Sequence, residues 1–596
     1  MTERPSHTPI SPDPAELMNK FKEFSKKCED IYRAFIERQL DGENAKPFDP
    51  VAIGKAFCEW NQKLLADPTT IFEAQRQYWE DSFKLFNATY AQLVGEAGDT
   101  VIEPDKNDRR FKDPSWSEEV VFNHLKQSYL LSARFIHALV SDVRDLDDQT
   151  RKKVDFYTRR YIESVAPTNF AITNPEVIRK TRETGGQNLL DGFENLLRDL
   201  ERGRGELKIT MTDREAFTVG ENLAYTPGAV VFENDLMQLL QYNPSTATVY
   251  ERPLLIVPPW INKYYALDLK ADNSMVKWLV DQGYTVFLIS WVNPGPELAH
   301  KGFDDYLLEG PVAAMDAIEK ATGQIRVNVA GYCIGGTLAA TMLAYLAAKN
   351  DQRIASATLM ACMTDFSDAG ELSVFIDDEQ LASLKAVVDR RGYLSGDDMA
   401  GVFSLLRAND LIWSHVVNNY LLAKTSLPFD MVYWFQDSTR LPGKMISWYL
   451  ENVYHKNLLI KPGGVSIAGT QIDLSVVKTP LYFFSTEEDH ICPWKSTYQG
   501  ARIFKGPVTF VLGGSGHNAG VVNPPAKGKY GYRTNARRPN DADAWLEGAS
   551  QHDGSWWPHW SDWLAKKSGK QVAPRHPGEG ELSIIEPAPG HYVKMT

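Results

Sequence analysis

A glycine-rich turn between a β-type run and a helix-forming run is the feature that most constrains the fold of this chain. The apolar run Val327–Ala330 leads into Gly-Tyr-Cys-Ile-Gly-Gly at 331–336, and Thr337–Leu346 follows with helix-forming composition. Glycines beside a central residue permit a sharp strand-to-helix turn that side chains would obstruct. The pattern therefore predicts a nucleophile elbow that presents Cys333 at the carboxyl edge of a sheet.

The predicted turn also favours a reactive sulfur. It aims the side chain of Cys333 at a helix N-terminus, where unpaired backbone N–H groups and the helix dipole stabilise a thiolate. The alternative is a cysteine that only packs within a glycine-rich turn. The motif alone leaves both interpretations open, so the remainder of the chain has to decide between them.

Composition excludes several classes of function. The chain has 596 residues, which is too long for one core, and its 43% hydrophobic and 24% charged residues are ordinary for a globular protein. A net charge of -13 argues against a protein-wide nucleic-acid or anionic-membrane surface. The five cysteines are scattered without CxxC pairs, so neither a disulfide framework nor a metal site is expected.

Changes of pattern along the chain predict its domains. The start is rich in Pro, Ser and Thr and lacks the apolar core of a signal peptide, and no later run has membrane length, so we expect a cytoplasmic protein. The run Arg198–Glu206 reads as a solvated linker. The predicted segments are a disordered N-terminus (1–14), a helical N-terminal domain (15–205), a first core part (206–365), an inserted cap or lid (366–474), and a second core part with a C-terminal tail (475–596).

Short β-type runs alternate with helical stretches after the predicted linker. This alternation predicts a mainly parallel, buried sheet with helices on both faces, whose chemistry gathers at the carboxyl ends of the strands. No convincing strand lies between Ala357–Cys362 and Leu481–Ser485, so this interval is an insertion, rich in aromatic residues. It is either a small satellite core or a lid over the elbow, and its place in the topology favours the lid.

Two further polar residues follow predicted strands. Asp489 comes after Leu481–Ser485, and His517 comes after Val508–Leu512. The order nucleophile, acid, histidine is that of the α/β-hydrolase fold. We therefore predict an α/β protein, an α/β-hydrolase core with an inserted mostly helical cap and a helical N-terminal domain. In it, His517 accepts the Cys333 thiol proton and Asp489 orients the imidazole.

The remaining site residues follow from the same fold. The backbone N–H of Ile334 is the expected first donor of an oxyanion hole, and Ile261, after Pro258–Trp260, is expected to supply the second. A rigid packed turn is the alternative for Pro258–Trp260, and it is compatible with that role. His490 competes with His517 for the base, but its place in the acid loop favours a supporting role there.

Other ionisable residues near these motifs have simpler interpretations. Glu487 and Glu488 are expected to be solvated. Cys362 and Cys492 lack the glycine turn and are interpreted as apolar packing residues. Cysteine in place of serine favours acyl-thioester chemistry, because exchange between a thiolate and a thioester is nearly symmetric, although hydrolysis stays open.

The chain resembles the polyhydroxyalkanoate synthases, in particular the single-subunit type I (class I) enzymes, over nearly its full length. The poorest match is the region before about residue 110. The motifs that carry the resemblance are Thr168–Phe170, Asn174–Glu176, Pro258–Tyr265, Gly331–Gly336, Asn409–Trp413, Val417–Tyr420, Asp437–Pro442, Asp489–Trp494, Gly516–His517, Gly554–Pro558 and Glu586–Lys594.

The resemblance implies polymerisation of (R)-3-hydroxyacyl-coenzyme A, mainly the 3-hydroxybutyryl unit, with release of coenzyme A. Cys333 would carry the growing chain and His517 would activate its sulfur. Asp489 would either orient His517 or help to activate the 3-hydroxyl of the incoming unit. No cofactor is implied, since coenzyme A is part of the substrate. A homodimer attached to cytoplasmic polyester granules is implied as well.

Two other functions compete with this expectation. A thiol hydrolase of the same fold, such as an intracellular polyester depolymerase or a dienelactone-hydrolase-like enzyme, would share the triad. Such an enzyme would not need the large helical N-terminal region or the long aromatic insertion. A granule-coating protein without activity would be expected to have lost part of the triad, which is complete here.

Overall fold

The computed structural model describes residues 23, 26–34 and 50–596. The predicted segment 1–14 lies outside the described residues. The chain forms two compact units, one holding the chain up to Asp213 with Val402–Leu427, the other holding Arg214–Gly401 and Pro428–Thr596. Residues 402–427 thus lie inside the predicted insertion 366–474 and belong to the first unit. The domain boundaries inferred from the sequence stay predictions.

The first unit is helical. The predicted turn around Asn174 begins a helix because the Asn174 side chain accepts hydrogen bonds from the N–H groups of Glu176 and Val177, at 3.0 and 3.3 Å. Short π-helical segments occupy Asn409–Trp413 and Val416–Leu421. From residue 50 to Asp213 the α-helices are α1 (Pro50–Ala66), α2 (Pro68–Leu93), α3 (Ser115–Glu118), α4 (Val120–Ser141), α5 (Asp148–Ser164), α6 (Pro175–Glu183) and α7 (Gln187–Arg202).

The predicted linker Arg198–Glu206 is wrong in its first half. Helix α7 continues to Arg202, and Asp199 is buried within the first unit. Its carboxylate accepts hydrogen bonds from the Thr210 N–H at 2.8 Å and from the Tyr420 hydroxyl at 2.6 Å. These bonds compensate the cost of burying a charged group.

The second unit is built on an eleven-stranded sheet. Its strands are β1 (Gly228–Glu233), β2 (Met237–Tyr242), β3 (Leu254–Val257), β4 (Val286–Trp291), β5 (Val327–Tyr332), β6 (Ile354–Met360), β7 (Leu481–Thr486), β8 (Val508–Gly513), β9 (Tyr532–Thr534), β10 (Ser550–His552) and β11 (Glu586–Pro587). The spatial order is β10-β9-β8-β7-β6-β5-β3-β4-β2-β1-β11.

Strands β3 to β8 run parallel to one another, as predicted. Antiparallel strands extend both edges, β2, β1 and β11 on one side and β9 and β10 on the other. These edge strands, apart from β1, were not predicted. The carboxyl ends of β5, β7 and β8 therefore lie at one edge, where the predicted triad residues begin.

Alternate residues along the central strands enter two different cores. Leu255 and Val257 belong to one apolar cluster, and Leu254 and Ile256 belong to another. Because successive strand residues point to opposite faces, the sheet is covered by helices on both sides. The helices after Asp213 are α8 (Met275–Asp281), α9 (Phe303–Leu307), α10 (Ala313–Thr322), α11 (Ile334–Ala348), α12 (Asp378–Arg391), α13 (Gly396–Leu406), α14 (Asp430–Gln436), α15 (Gly443–Tyr449), α16 (Trp494–Ile503), α17 (His517–Val521), α18 (Ala542–Glu547) and α19 (Trp557–Ala565).

Within the described part of the chain, no helix combines the length and the apolar character that crossing a bilayer demands.

Candidate active site

Cys333 occupies a strained turn between β5 and α11. Its backbone angles are φ +53° and ψ −129°, a region that residues with a side chain rarely adopt. The Cys333 N–H donates a hydrogen bond to the Met360 carbonyl at 2.9 Å, which ties the turn to the neighbouring strand β6. The strain is thus held in place by the sheet, and the sulfur stands at its carboxyl edge.

The glycines on either side of Cys333 are required by close backbone contacts. A Cβ atom on Gly331 would lie 2.5 Å from the Gly336 Cα. A Cβ atom on Gly335 would lie 2.3 Å from the Val257 carbonyl oxygen and 2.6 Å from that of Pro258. Only glycine therefore lets strand, turn and helix approach this closely, which is the physical basis of the sequence motif.

The predicted acid and base meet at the same edge. The His517 Nδ1 and the Asp489 Oδ2 lie 2.7 Å apart, and both side chains are buried. The Asp489 Oδ1 accepts hydrogen bonds from the N–H groups of Ile491 and Cys492, at 2.9 and 2.8 Å. The carboxylate is therefore fixed by its own loop, and it in turn fixes the imidazole.

The electrostatics favour a thiolate and an imidazolium. Hydrogen bonding from the Cys492 thiol, together with the positive charge of His517 and the Ile334 N–H, outweighs desolvation and lowers the pKa of Cys333 to about 5. Burial alone would lower the pKa of His517, but the charges of Asp489 and Cys333 raise it well above its usual value. An ion pair of this kind is the activated form of a cysteine nucleophile.

The two predicted oxyanion donors follow different strands of the sheet. The Ile334 N–H is the first of α11 and interacts with the Cys333 sulfur. Ile261 is in the loop after β3, and its carbonyl accepts a hydrogen bond from the Thr439 N–H at 3.0 Å. Trp260 is buried and packs edge-on against Trp291, so this loop is also the packed turn that was the alternative interpretation. The donor roles of Ile334 and Ile261 stay predictions.

Residues of the insertion contact this loop and the surroundings of Cys333. The Thr439 hydroxyl donates to the Trp260 carbonyl at 2.5 Å, and Lys263 pairs with Asp437 at 2.8 Å. Burial, and to a smaller extent the charge of Cys333, raises the pKa of Tyr449 well above its usual value. Asp437 and Thr439 of the insertion therefore contact the loop after β3, and the role of the insertion as a lid stays a prediction.

His490 is half-buried in the turn between Asp489 and Cys492. Its supporting role in the acid loop stays a prediction. Glu487 and Glu488 are exposed, and Glu487 forms an ion pair with Arg533 at 2.7 Å.

The helix that carries His517 is held by the C-terminal tail. The indole N–H groups of Trp556 and Trp557 donate to the carbonyls of Gly520 and Val521, at 3.1 and 2.9 Å. These carbonyls are at the end of α17, where a helix has no internal donors left. The buried tryptophans thus hold the helix that begins at His517 from outside the site.

Sequence reasoning missed several neighbours of the triad. The Tyr332 ring stacks on His517 with centroids 5.6 Å apart, and its hydroxyl hydrogen-bonds to Asn518. Cys492 belongs to one of the apolar clusters, as its interpretation as a packing residue predicts, and its sulfur also lies within 4.8 Å of ligand atoms of both Asp489 and His517. The signal that could have indicated Cys492 is its position three residues after Asp489, within reach of one tight turn.

Known proteins match this chain over nearly its whole length. Residues 107–279 match the model of the poly-beta-hydroxybutyrate polymerase (PhaC) N-terminus, and residues 253–524 match that of the alpha/beta hydrolase fold, which confirms the predicted core. The poly(3-hydroxyalkanoate) polymerase subunit PhaC of Rhizobium meliloti is 44% identical over 98% of this chain and 96% of its own. The poly(3-hydroxyalkanoate) polymerase of Methylorubrum extorquens is 43% identical over 94% of this chain and 96% of its own. The PhaC subunit of Cupriavidus necator is 42% identical over 88% of this chain and 89% of its own. The chain therefore belongs to the poly(3-hydroxyalkanoate) polymerase family, whose enzymes it matches from its helical N-terminal region to its tail.

Proposed function

We propose that this enzyme polymerises (R)-3-hydroxyacyl-coenzyme A, mainly 3-hydroxybutyryl-coenzyme A, into polyhydroxyalkanoate through a thioester on Cys333. The observation that carries the proposal is the arrangement of Cys333, Asp489 and His517 after the carboxyl ends of β5, β7 and β8, in a chain similar throughout to poly(3-hydroxyalkanoate) polymerases. Coenzyme A is part of the substrate and a product, and no cofactor is proposed.

The geometry supports a sequence of acyl transfers. The Cys333 thiolate attacks the thioester carbonyl of the substrate, and the N–H groups of Ile334 and Ile261 stabilise the oxyanion. The C–S bond to coenzyme A breaks, and the His517 imidazolium gives its proton to the departing thiolate. In elongation, a 3-hydroxyl group attacks an acyl thioester on Cys333, His517 accepts the hydroxyl proton, and the Cys333 thiolate leaves.

An assay with purified protein tests the proposal. With 3-hydroxybutyryl-coenzyme A, we expect free coenzyme A thiol and insoluble polyester to appear together. Release of thiol with only monomeric acid as the acyl product would instead assign the enzyme to the thiol hydrolases. The Cys333→Ala variant should show neither turnover nor an acyl-enzyme by intact mass. Cys28 is exposed and distant from Cys333 in the sequence, so Cys28→Ala should retain both. Polymer from Cys333→Ala would contradict the proposed nucleophile.

We also propose that the protein acts as a homodimer on polyester granules in the cytoplasm. Support comes from α2, which exposes six large apolar side chains at helical spacing, Phe72, Trp79, Phe83, Phe86, Tyr90 and Leu93, each at least 61% exposed. Apolar surface of this extent is typical of an interaction site. The Phe83→Glu/Phe86→Glu variant should lose either the dimer in sedimentation velocity or co-sedimentation with granules. Retention of both would remove this support.

A further inference from the structure

The residue before the nucleophile reaches across to the general base. Tyr332 is the last residue of β5, it is buried, and it is paired with Met360 of β6 in the sheet. Its ring stacks on the imidazole of His517, with centroids 5.6 Å apart and an angle of 28° between the planes. Its hydroxyl donates a hydrogen bond to the Oδ1 atom of Asn518, the residue after His517 in α17. One side chain therefore links the elbow both to the base and to the helix that begins with it.

We propose that Tyr332 and Asn518 are positioning residues that hold the His517 imidazole in the orientation in which it exchanges a proton with Cys333. The proposal rests on the function proposed above, in which Cys333 is the nucleophile and His517 is its base. Tyr332 acts on the ring of His517, and Asn518 acts on the hydroxyl of Tyr332. In this role neither residue exchanges a proton itself.

The hydrogen bond to Asp489 alone leaves the imidazole a degree of freedom. That bond holds the His517 Nδ1 at 2.7 Å from the Asp489 Oδ2, but a ring held at one atom can still tilt about the bond. Tilting moves the opposite nitrogen, Nε2, which is the atom that would take the Cys333 proton. A flat face packed against the ring opposes this tilt, because aromatic pairs with centroids about 4.5–7 Å apart favour defined orientations.

The segment before His517 has few side chains that could support the base. The run Gly513–Gly516 contains three glycines, and its one other residue, Ser515, adopts a positive φ of +70°. Helix α17 itself has only five residues, and the tail tryptophans hold the carbonyls at its end. The bond from Tyr332 to Asn518 anchors its first turn from the side of the elbow.

The Tyr332 ring suits both charge states of the base. A neutral imidazole packs on it as one aromatic ring on another, and an imidazolium gains from the negative face of the tyrosine ring. Burial raises the pKa of Tyr332 well above its usual value, so the hydroxyl keeps its proton and remains a donor to Asn518. The support therefore persists through a cycle in which His517 gains and loses a proton.

A double-mutant cycle in the full-length protein tests the proposal. The measured quantity is the first-turnover rate of coenzyme A release from 3-hydroxybutyryl-coenzyme A, at several substrate concentrations. Tyr332→Phe keeps the ring and loses the hydroxyl, and we expect it to slow acylation about tenfold at saturation, the size of effect that one lost hydrogen bond can give. The half-saturating concentration should not change, because neither residue is proposed to bind substrate. Asn518→Leu should slow acylation equally, and the double variant should be no slower than either single variant, because both changes break the same bond.

Two further variants separate positioning from a general effect on folding. Tyr284→Phe removes another buried tyrosine hydroxyl, which donates to the Ser561 carbonyl at 3.1 Å. Tyr284 precedes the amino end of β4, whereas the triad residues follow the carboxyl ends of their strands, so this variant should acylate at the wild-type rate. Asn518→Asp keeps an acceptor oxygen for the Tyr332 hydroxyl and should restore most of the rate that Asn518→Leu loses.

Three results would overturn the proposal. One is acylation at the wild-type rate in Tyr332→Phe. Another is equal slowing in Tyr284→Phe, which would indicate a general loss of stability. The third is a double variant slowed about a hundredfold, because the two residues would then act independently. Failure of the proposed function would look different, since the wild-type protein would form no acyl-enzyme with 3-hydroxybutyryl-coenzyme A.

Discussion

The Asp489→Asn substitution offers a direct test of how the carboxylate works. The Oδ1 atom of Asp489 accepts two backbone N–H groups, and its Oδ2 atom accepts from His517 Nδ1 at 2.7 Å. In the variant, the amide oxygen would stay with the two N–H groups and the amide NH2 would face His517. That donor would hold the imidazole with its proton on Nε2, the wrong tautomer for accepting a proton from Cys333.

The expected loss can be worked from the same geometry. Opposite charges 2.7 Å apart interact by about 6 kcal/mol at an effective dielectric constant of about 20. Replacement of the acid by its amide in a catalytic triad lowers turnover about 10⁴-fold, which corresponds to about 5.5 kcal/mol. Both routes lead us to expect a rate reduced by about 10³ to 10⁴, with little change in folding because the amide is isosteric.

Rapid-quench kinetics can measure the two half-reactions separately. Acylation is the first-turnover release of coenzyme A, and elongation is the steady-state growth of polymer. The side chain of Asp489 is fully buried and already bonded to His517, so we expect it to orient the base in both steps and both rates to fall alike. Glu488→Gln makes the same chemical change on an exposed carboxylate of the same loop and should leave both rates near the wild-type values.

The reasoning fails if acylation in Asp489→Asn keeps its rate while elongation is lost. That result would assign Asp489 to activation of the incoming 3-hydroxyl instead. A large fall in the free energy of unfolding would also remove the mechanistic interpretation, and urea denaturation of the variant checks this.

Three further predictions address the elbow and its supports. Because the pKa of Cys333 is lowered to about 5, its thiolate is lost only as the pH falls through that value. The rate of Cys333 alkylation should therefore stay high between pH 8 and 6 and fall to half near pH 5. A midpoint near pH 8.5, the usual cysteine value, would contradict the ion pair. Gly335→Ala should slow acylation about 100-fold, because its Cβ would lie 2.3 Å from the Val257 carbonyl oxygen and force the turn to shift. A Cβ on Gly401 would meet open space, so Gly401→Ala should be neutral in the same assay. Trp557→Phe leaves the buried Val521 carbonyl without its donor and should lower the free energy of unfolding by about 1–3 kcal/mol in urea titration; an unchanged value would mean that α17 does not depend on this bond.

The parallel strands and the elbow could be predicted because their signals are local. An apolar run of four to six residues and a glycine turn are visible without knowledge of distant neighbours. Strand β2 was missed because its pattern includes buried glutamines. The Gln238 side chain is hydrogen-bonded by Glu233 and by residues of the C-terminal tail, Glu586, His591 and Tyr592. Such partners, some 350 residues away, leave no trace in the local sequence.

The same distinction explains the errors elsewhere. Asp199 looked solvated because charged residues surround it in sequence, but a hydroxyl 221 residues away makes its burial possible. In the site, Cys333, Asp489 and His517 could be predicted from their places after strands. The approach of the Cys492 sulfur to Asp489 and His517 was missed, because it depends on how the loop closes around the Asp489 carboxylate.

The rigid seat of Cys333 has a mechanical consequence for an enzyme that makes a long product. The Cys333 backbone has a positive φ, and its N–H is hydrogen-bonded to the Met360 carbonyl of β6. Glycine backbones pack closely around the turn, so the sulfur keeps its position while the chain grows. Every ester linkage would then be made at one stationary point. The product therefore has to move instead. In the proposed mechanism, each unit joined at the sulfur displaces all earlier units outward by its own length.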